Sequence, residues 1–269
     1  MQPTIDLNFP DNWKSSLTPI WTENRMRLGN QNDGGYIVTK ETIVESQVLI
    51  SFGVGNDVSF EKDCVELNNG IRILMFDHTV FPIKKSYKFM EFLKAVLMLD
   101  SNLFFLKVKL YRDIKKLRKN NFKLHNQRIN SFKYRNYDVT PSEIINNLQD
   151  NLSIFMKVDI EGFEYRIIED IIVQHKNRIN GLIVEFHELV TRENEMLRIA
   201  SLISKNFFVE SININNFGDI SPQGIPDVVE ITFTNRKFLN HLRTLEVPIK
   251  WGNYANGKNR SNFQFYSYT

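Results

Sequence analysis

The sequence predicts an α/β fold in which a mostly parallel sheet is covered by helices on both faces. Two observations carry that expectation. Short apolar runs recur along the chain, separated by segments of helical spacing, which is the pattern of strands joined by helical crossovers. Several of the runs also end in glycines or acids, the residue types expected outside the carboxyl ends of strands in a doubly wound sheet, where ligands sit.

"QVLISFGVG" (47–55) reads as a buried strand ending in glycines, and "IRILMFDHT" (71–79) as a second one ending in an acid. "IFMKVDIEG" (154–162) is a third, followed by "FEYRIIEDIIVQ" with helical periodicity. "GLIVEFHEL" (181–189) follows, then a helix expected from Glu193 to Lys205. "FFVESINI" (207–214) and "DVVEITFTN" (227–235) read as two further strands. The loop-like "NNFGDISPQGIP" between them suits an antiparallel hairpin.

A chain of 269 residues can bury a sizeable core, and a single domain over 1–269 is expected. Within it, 1–46 reads as an N-terminal cap, 84–121 as a basic amphipathic insert and 236–269 as a C-terminal tail. Apolar content of 42% and charged content of 24% argue against wholesale disorder. A net charge of +3 is too small to imply a nucleic-acid partner. Cys64 is the only cysteine, which excludes an intrachain disulfide and a cysteine zinc cluster and suits a reducing cytoplasm. "MQPTIDLNFPDNW" lacks a basic start and apolar run, and no apolar stretch reaches the roughly 18 residues of a membrane span. A soluble cytoplasmic protein is the expectation. The insert allows three readings: a crossover helix with a partner-contacting segment, a helix lying on a membrane surface, or a basic wall for a diphosphate-bearing substrate.

In "SFGVGNDVSFE" (51–61), Gly53 and Gly55 permit a tight turn and a close backbone approach, and Asp57 and Ser59 are placed to cap the next helix. A dinucleotide fingerprint needs a third glycine near Ser59 and none is there, which disfavours a pyrophosphate ligand. Asp77, ending the next strand, suits the two hydroxyls of a ribose. Two glycines and then an acid fit an adenosyl ligand without a diphosphate, such as S-adenosylmethionine.

Acids at the end of a buried strand are costly unless they hold a cation, accept hydrogen bonds or move protons. Residues two apart on a strand share a side, so Asp159 and Glu161 are expected to project together, as are Glu185 and His187 on the neighbouring strand. Two uses follow. His187 or one of the acids serves as a base toward a hydroxyl, or Asp159 and Glu185, with His187, hold a divalent cation such as Mg²⁺ or Mn²⁺.

"LISFGVGNDVSFE", "LMFDHT", "FMKVDIEGFEYRIIEDI" and "GLIVEFHEL", in that order, resemble the FkbM-type methyltransferases. "RLGNQNDGGYIV" (27–38) is similar to an upstream element of one branch, and "IPDVVEITFTN" (225–235) to its late strand. The resemblance spans roughly 25–235, and K-x-D-x-E-G-x-E is its most specific part. It implies a Rossmann-like class I methyltransferase fold with a seven-stranded sheet and an antiparallel last strand. It also implies O-methyl transfer from S-adenosylmethionine, often to sugars. Carried over, it places Gly53 and Gly55 along the methionine and ribose portions of the cofactor, Asp77 at the ribose and Asp159 beside the sulfonium. Gly34, Gly35 and Tyr36 are expected as a lid, and Asp57, Ser59, Phe60 and His78 complete the expected cofactor-binding set. The implied setting is surface-polysaccharide (capsule or lipopolysaccharide) biosynthesis in bacteria or viruses. The partner is a sugar or nucleotide-linked sugar, with membrane contact through 84–121 and a homodimer as further expectations.

A nicotinamide-dependent oxidoreductase is the first rival, weakened by the missing glycine and by the absence of a recognisable Tyr-x-x-x-Lys pair. RNA 2′-hydroxyl methylation is the second, kept open by the basic insert. A non-enzymatic binding module is the third, disfavoured because a dead site has no physical need of the acids.

Overall fold

The computed structural model describes residues 3–79, 110, 112–114, 117, 122–251, 256, 257 and 260–266. Apart from Leu110, 112–114 and Leu117, the basic insert expected over 84–121 lies outside them.

The centre is a seven-stranded sheet. Its strands in chain order are β1 (Val48–Phe52), β2 (Arg72–Phe76), β3 (Phe122–His125), β4 (Ile154–Val158), β5 (Ile179–Phe186), β6 (Phe207–Ile214) and β7 (Val229–Asn235). Across the sheet they run β6-β7-β5-β4-β1-β2-β3. β1 to β5 pair in parallel, and β7 lies antiparallel between β5 and β6. This is the expected Rossmann-like, mostly parallel α/β architecture.

Helices that pack on the sheet include α1 (Ser59–Leu67), α2 (Pro141–Asn146), α3 (Glu164–His175) and α4 (Leu189–Ser204). Central strands covered on both faces bury every residue, which is why β1, β4 and β5 read as near-continuous apolar runs. Alternate residues then enter different cores. Val48, Ile50 and Phe52 of β1, with Ile154, Met156 and Val158 of β4, pack on one face against Ile168 and Ile171 of α3 and Ile199 of α4. Leu49, Phe155 and Ile183 point the other way, toward Phe60 and Cys64 of α1 and toward Leu28, Tyr36 and Val38. These last three belong to an antiparallel hairpin of Arg25–Gly29 and Gly35–Thr39.

The same alternation dictates where the polar residues of β4 and β5 go. Lys157 follows Phe155 onto the α1 face, and Glu185 follows Ile183 onto it. Past the strand ends, that face carries the cleft.

Several expectations are adjusted. α4 opens with a short turn from Leu189, broken at Arg192 (φ −121°), and its continuous part runs from the expected Glu193. The strand expected through Gly162 ends at Val158. The segment read as an N-terminal cap also contributes Thr4–Asn8, which pairs in parallel with Asn262–Tyr266 of the segment read as a tail. No helix among the described residues is long and apolar enough to cross a membrane.

Gly181 in β5 lies against the Phe155 ring, where an added Cβ would stand 2.4 Å from a ring carbon. Overpacking of this kind costs about 1–3 kcal/mol. Gly181→Ala is therefore expected to lower the thermal midpoint by several degrees, measured by circular dichroism.

Candidate active site

At the carboxyl ends of β1, β2 and β4 lies a cleft of about 730 Å³. It is lined by Gly34, Tyr36, Gly53, Val54, Gly55, Asp57, Phe60, Glu61, Asp77, His78, Lys157, Asp159 and Glu161, among others. Most of the residues expected from the sequence for a cofactor therefore share one space.

The two glycines of the β1 loop have different reasons to be glycine. Both are left-handed, Gly53 at φ 72° and Gly55 at φ 55°. A Cβ on Gly53 would sit 1.4 Å from the Asp159 carbonyl oxygen, so this glycine serves the close approach of two backbones. A Cβ on Gly55 would meet nothing within 4 Å, so this one faces open space.

Asp77 fastens that loop. Its Oδ2 accepts the N–H groups of Val54 (2.9 Å) and Gly55 (2.8 Å), and its Oδ1 accepts the N–H (2.7 Å) and hydroxyl (2.6 Å) of Thr79. Burial works against its charge, but these donors outweigh it and hold Asp77 below the usual carboxylate range. A carboxylate offers about four acceptor sites.

Asp57 accepts from Ser59 N–H at 2.7 Å and from Asn30 Nδ2 at 3.0 Å, tying the start of α1 to the hairpin loop. The helix cap is Val58, and the Ser59 hydroxyl has no hydrogen-bond partner among the described residues. Tyr36 is buried edge-on against Phe60, with ring centroids 5.3 Å apart. Gly34 reaches the cleft, whereas Gly35 pairs with Gly29 inside the hairpin, where a Cβ would meet the Asn30 carbonyl at 1.9 Å.

Lys157 entered the sequence reading only as the first residue of K-x-D-x-E-G-x-E, and Glu61 had no assigned role. Lys157 is 5% exposed; its Nζ donates to the Gly53 carbonyl at 2.7 Å and to Asp159 Oδ2 at 3.1 Å. Burial disfavours this ammonium, yet Asp159 and Glu61 reverse the effect and leave it more basic than usual. Glu61, buried on α1, accepts from the Ser51 hydroxyl at 2.6 Å, and burial raises its pKa. For Lys157 the available signal was a polar residue at a core position of a strand otherwise apolar on that face.

The acid loop after β4 differs from the expectation. Glu161 does not project by strand alternation: it and Gly162 take left-handed conformations, with φ 54° and 90°. The turn swings the Glu161 side chain back, with Oε2 3.5 Å from His187 Nε2, although the side chain is 87% exposed. Arg192 of α4 secures the turn by donating to the Gly162 carbonyl at 2.9 Å. Ligand atoms of Asp159, Glu161 and His187 lie within 4.8 Å of one another. Glu185, expected as a cation ligand with Asp159, falls outside this trio and accepts from Asn215 Nδ2 at 2.7 Å. A protonated imidazole among carboxylates adopts the same distances, so the trio alone assigns no ion.

Glu185 continues into a buried polar row, directly opposite Glu230 on β7, which in turn lies opposite Asn213 on β6. Glu230 accepts from Asn256 Nδ2 (2.6 Å) and Asn213 Nδ2 (2.9 Å). Burial, with Asp159 and Glu230 nearby, raises the pKa of Glu185 well above the carboxylate range. Glu230, raised mainly by burial, titrates at about 7.

No protein-family model matches this sequence, and no curated protein does. Solved structures that it resembles include precorrin-6y C5,15-methyltransferase from Geobacter metallireducens. That protein is 13% identical over 73% of this chain and 86% of its own, with a TM-score of 0.37. The fibrillarin pre-rRNA processing protein of Methanococcus jannaschii is 10% identical, over 72% and 68%, with a TM-score of 0.38. A predicted O-methyltransferase from Agrobacterium tumefaciens is 9% identical, over 73% and 80%, with a TM-score of 0.33. At these levels the likeness carries no argument about chemistry, and the fold rests on the strand order and polarity described above.

Two measurements test this site. Lys157→Met strips the ammonium from beside Asp159 and Glu61 and is expected to cost about 3 kcal/mol in urea unfolding. Glu230 has a folded pKa above its ordinary 4.5, so the stability it contributes is full below pH 4.5 and is lost as pH rises through about 7. Unfolding at pH 5 and pH 8 should show this decline, and Glu230→Gln should make it smaller.

Proposed function

We propose that the protein is an S-adenosylmethionine-dependent O-methyltransferase of the FkbM type, acting on a sugar hydroxyl in bacterial or viral surface-polysaccharide assembly. The observation that carries the reading is the single cleft that joins the open Gly55 turn and Asp77 to Asp159. Gly55 leaves room for a ligand against the backbone, and the loop it belongs to is clamped by Asp77.

Charge supports a cationic ligand. Asp57, Glu61, Asp77, Asp159 and Glu161 line the cleft, while its Lys157 and Arg128 are engaged with Asp159 and Asp138. Asn30, Asn56, Gln127 and Thr79 add uncharged hydrogen-bonding groups suited to hydroxyls. When bound, S-adenosylmethionine supplies a methyl group already activated on a sulfonium. The protein's part is to align an acceptor oxygen, exclude water and take up the hydroxyl proton.

The reading is tested by calorimetric titration of S-adenosylhomocysteine into the purified chain, with and without Mn²⁺ or Mg²⁺. Binding is expected in both conditions. Gly55→Ala should fold with a loss of about 1 kcal/mol from its left-handed backbone while weakening binding on the order of tenfold, because the new methyl group enters the ligand's space. Absence of binding to the parent chain in either condition removes the reading.

A further inference from the structure

Beyond the end of β5, His187 is held by a buried acid, the last residue of K-x-D-x-E-G-x-E, to which the sequence reading gave no role of its own. Glu164 opens α3 and its side chain is wholly buried. Its Oε2 accepts the Gly162 N–H at 2.8 Å. Its Oε1 accepts the backbone N–H of His187 at 2.8 Å and lies 3.2 Å from His187 Nδ1. The Tyr165 hydroxyl donates to the His187 carbonyl at 2.6 Å. Ring and backbone are thus anchored to the first turn of α3.

The other ring nitrogen is differently placed. Nε2 lies 3.5 Å from Glu161 Oε2 and 3.9 Å from Glu185 Oε1, and the imidazole side chain is 13% exposed. A carboxylate that already accepts two backbone N–H groups can engage Nδ1 only by accepting from it. The neutral ring then carries its proton on Nδ1 and its lone pair on Nε2.

We propose that Glu164 is a positioning residue that holds His187 in the Nδ1–H tautomer and so presents Nε2 as the proton acceptor of the site. The reaction assigned to that proton acceptor rests on the methyl-transfer reading above; the pairing of Glu164 with His187 does not.

The groups facing the ring are Glu164 on α3, Asp159 and Glu161 in the loop after β4, and Glu185 on β5. Burial opposes charge on His187, and Glu164, then Asp159 and Glu161, reverse it, so an imidazolium formed there is stabilised. The neighbouring candidates are less suited. Glu185 is pushed toward its neutral form by burial and by Asp159 and Glu230, and Glu161 is largely in solvent. In the step, the acceptor oxygen loses its proton to Nε2 and forms the bond to the methyl carbon. The carbon–sulfur bond breaks with its electron pair passing to sulfur, leaving a neutral thioether, and the imidazolium later returns its proton to water.

The test reads His187 itself and needs no acceptor. Long-range ¹H–¹⁵N spectra of the full chain labelled with ¹⁵N-histidine are recorded above the ring's titration midpoint. The protein has five histidines, and His187 is assigned by its loss in His187→Ala. The parent chain is expected to show the Nδ1–H tautomer. Glu164→Gln should shift the tautomer ratio toward Nε2–H by about tenfold or more, the equivalent of one charged hydrogen bond. Glu161→Gln, which removes a carboxylate from beside Nε2, should not shift it toward Nε2–H. An Nε2–H tautomer in the parent chain overturns the proposal, and so does a ratio indifferent to Glu164→Gln. If that variant does not fold, the parent spectrum decides alone. Titration of S-adenosylhomocysteine into the same sample separates the two readings: an Nδ1–H ring without binding would remove the reaction and leave the pairing.

Discussion

The site depends on one buried ammonium. Lys157 stands at a position of β4 whose face is otherwise apolar, and its Nζ holds the Gly53 carbonyl at the end of β1 and Asp159 at the end of β4. A buried charge is tolerable only when paired and hydrogen-bonded, and here both conditions are met by the elements the site must align. The backbones meet at the same point, since the Asp159 N–H donates to the Phe52 carbonyl at 3.1 Å and Gly53 leaves no room for a side chain. The glycine loop and the acid loop are therefore one mechanical unit.

From that unit the acids separate by environment. Those carried into the sheet interior, Glu185 and Glu230, are pushed toward their neutral forms by burial. Those at the mouth are set by the turn of Glu161 and Gly162, which Arg192 secures from outside. Glu164, buried but satisfied by three donors, sits between these groups and takes its role from the histidine it holds. Residues of one chemical type thus acquire different tasks through desolvation and donor count.

Much of this was legible in the sequence, for physical reasons. β1, β4 and β5 are buried on both faces and show as unbroken apolar runs, and β6 was read at its observed limits. β3, a four-residue edge strand reading "FKLH", carries no such signal. The pairing of Thr4–Asn8 with Asn262–Tyr266 joins segments too far apart in the chain for any local pattern to register. In the site, Asp77, Asp159, Glu185 and His187 stood out because each closes a buried strand. Glu161 ends beside Asp159 and His187 as expected, but through a left-handed turn after Val158 and not by strand alternation. Lys157 and Glu164 were visible only as the ends of K-x-D-x-E-G-x-E, and Glu61 had no assigned role, because their importance lies in contacts between elements distant in the chain.

The insertion of β7 between β5 and β6 also bears on how the chain comes together. β5 and β6 are successive strands, yet neither pairs with the other, and the slot between them is filled by residues 229–235. During synthesis, which proceeds from the N-terminus, β5 presents an apolar edge with unpaired N–H and C=O groups until β7 emerges. Completion of the sheet waits on a strand made later than both its neighbours. That interval is when the nascent chain is most exposed to wrong partners.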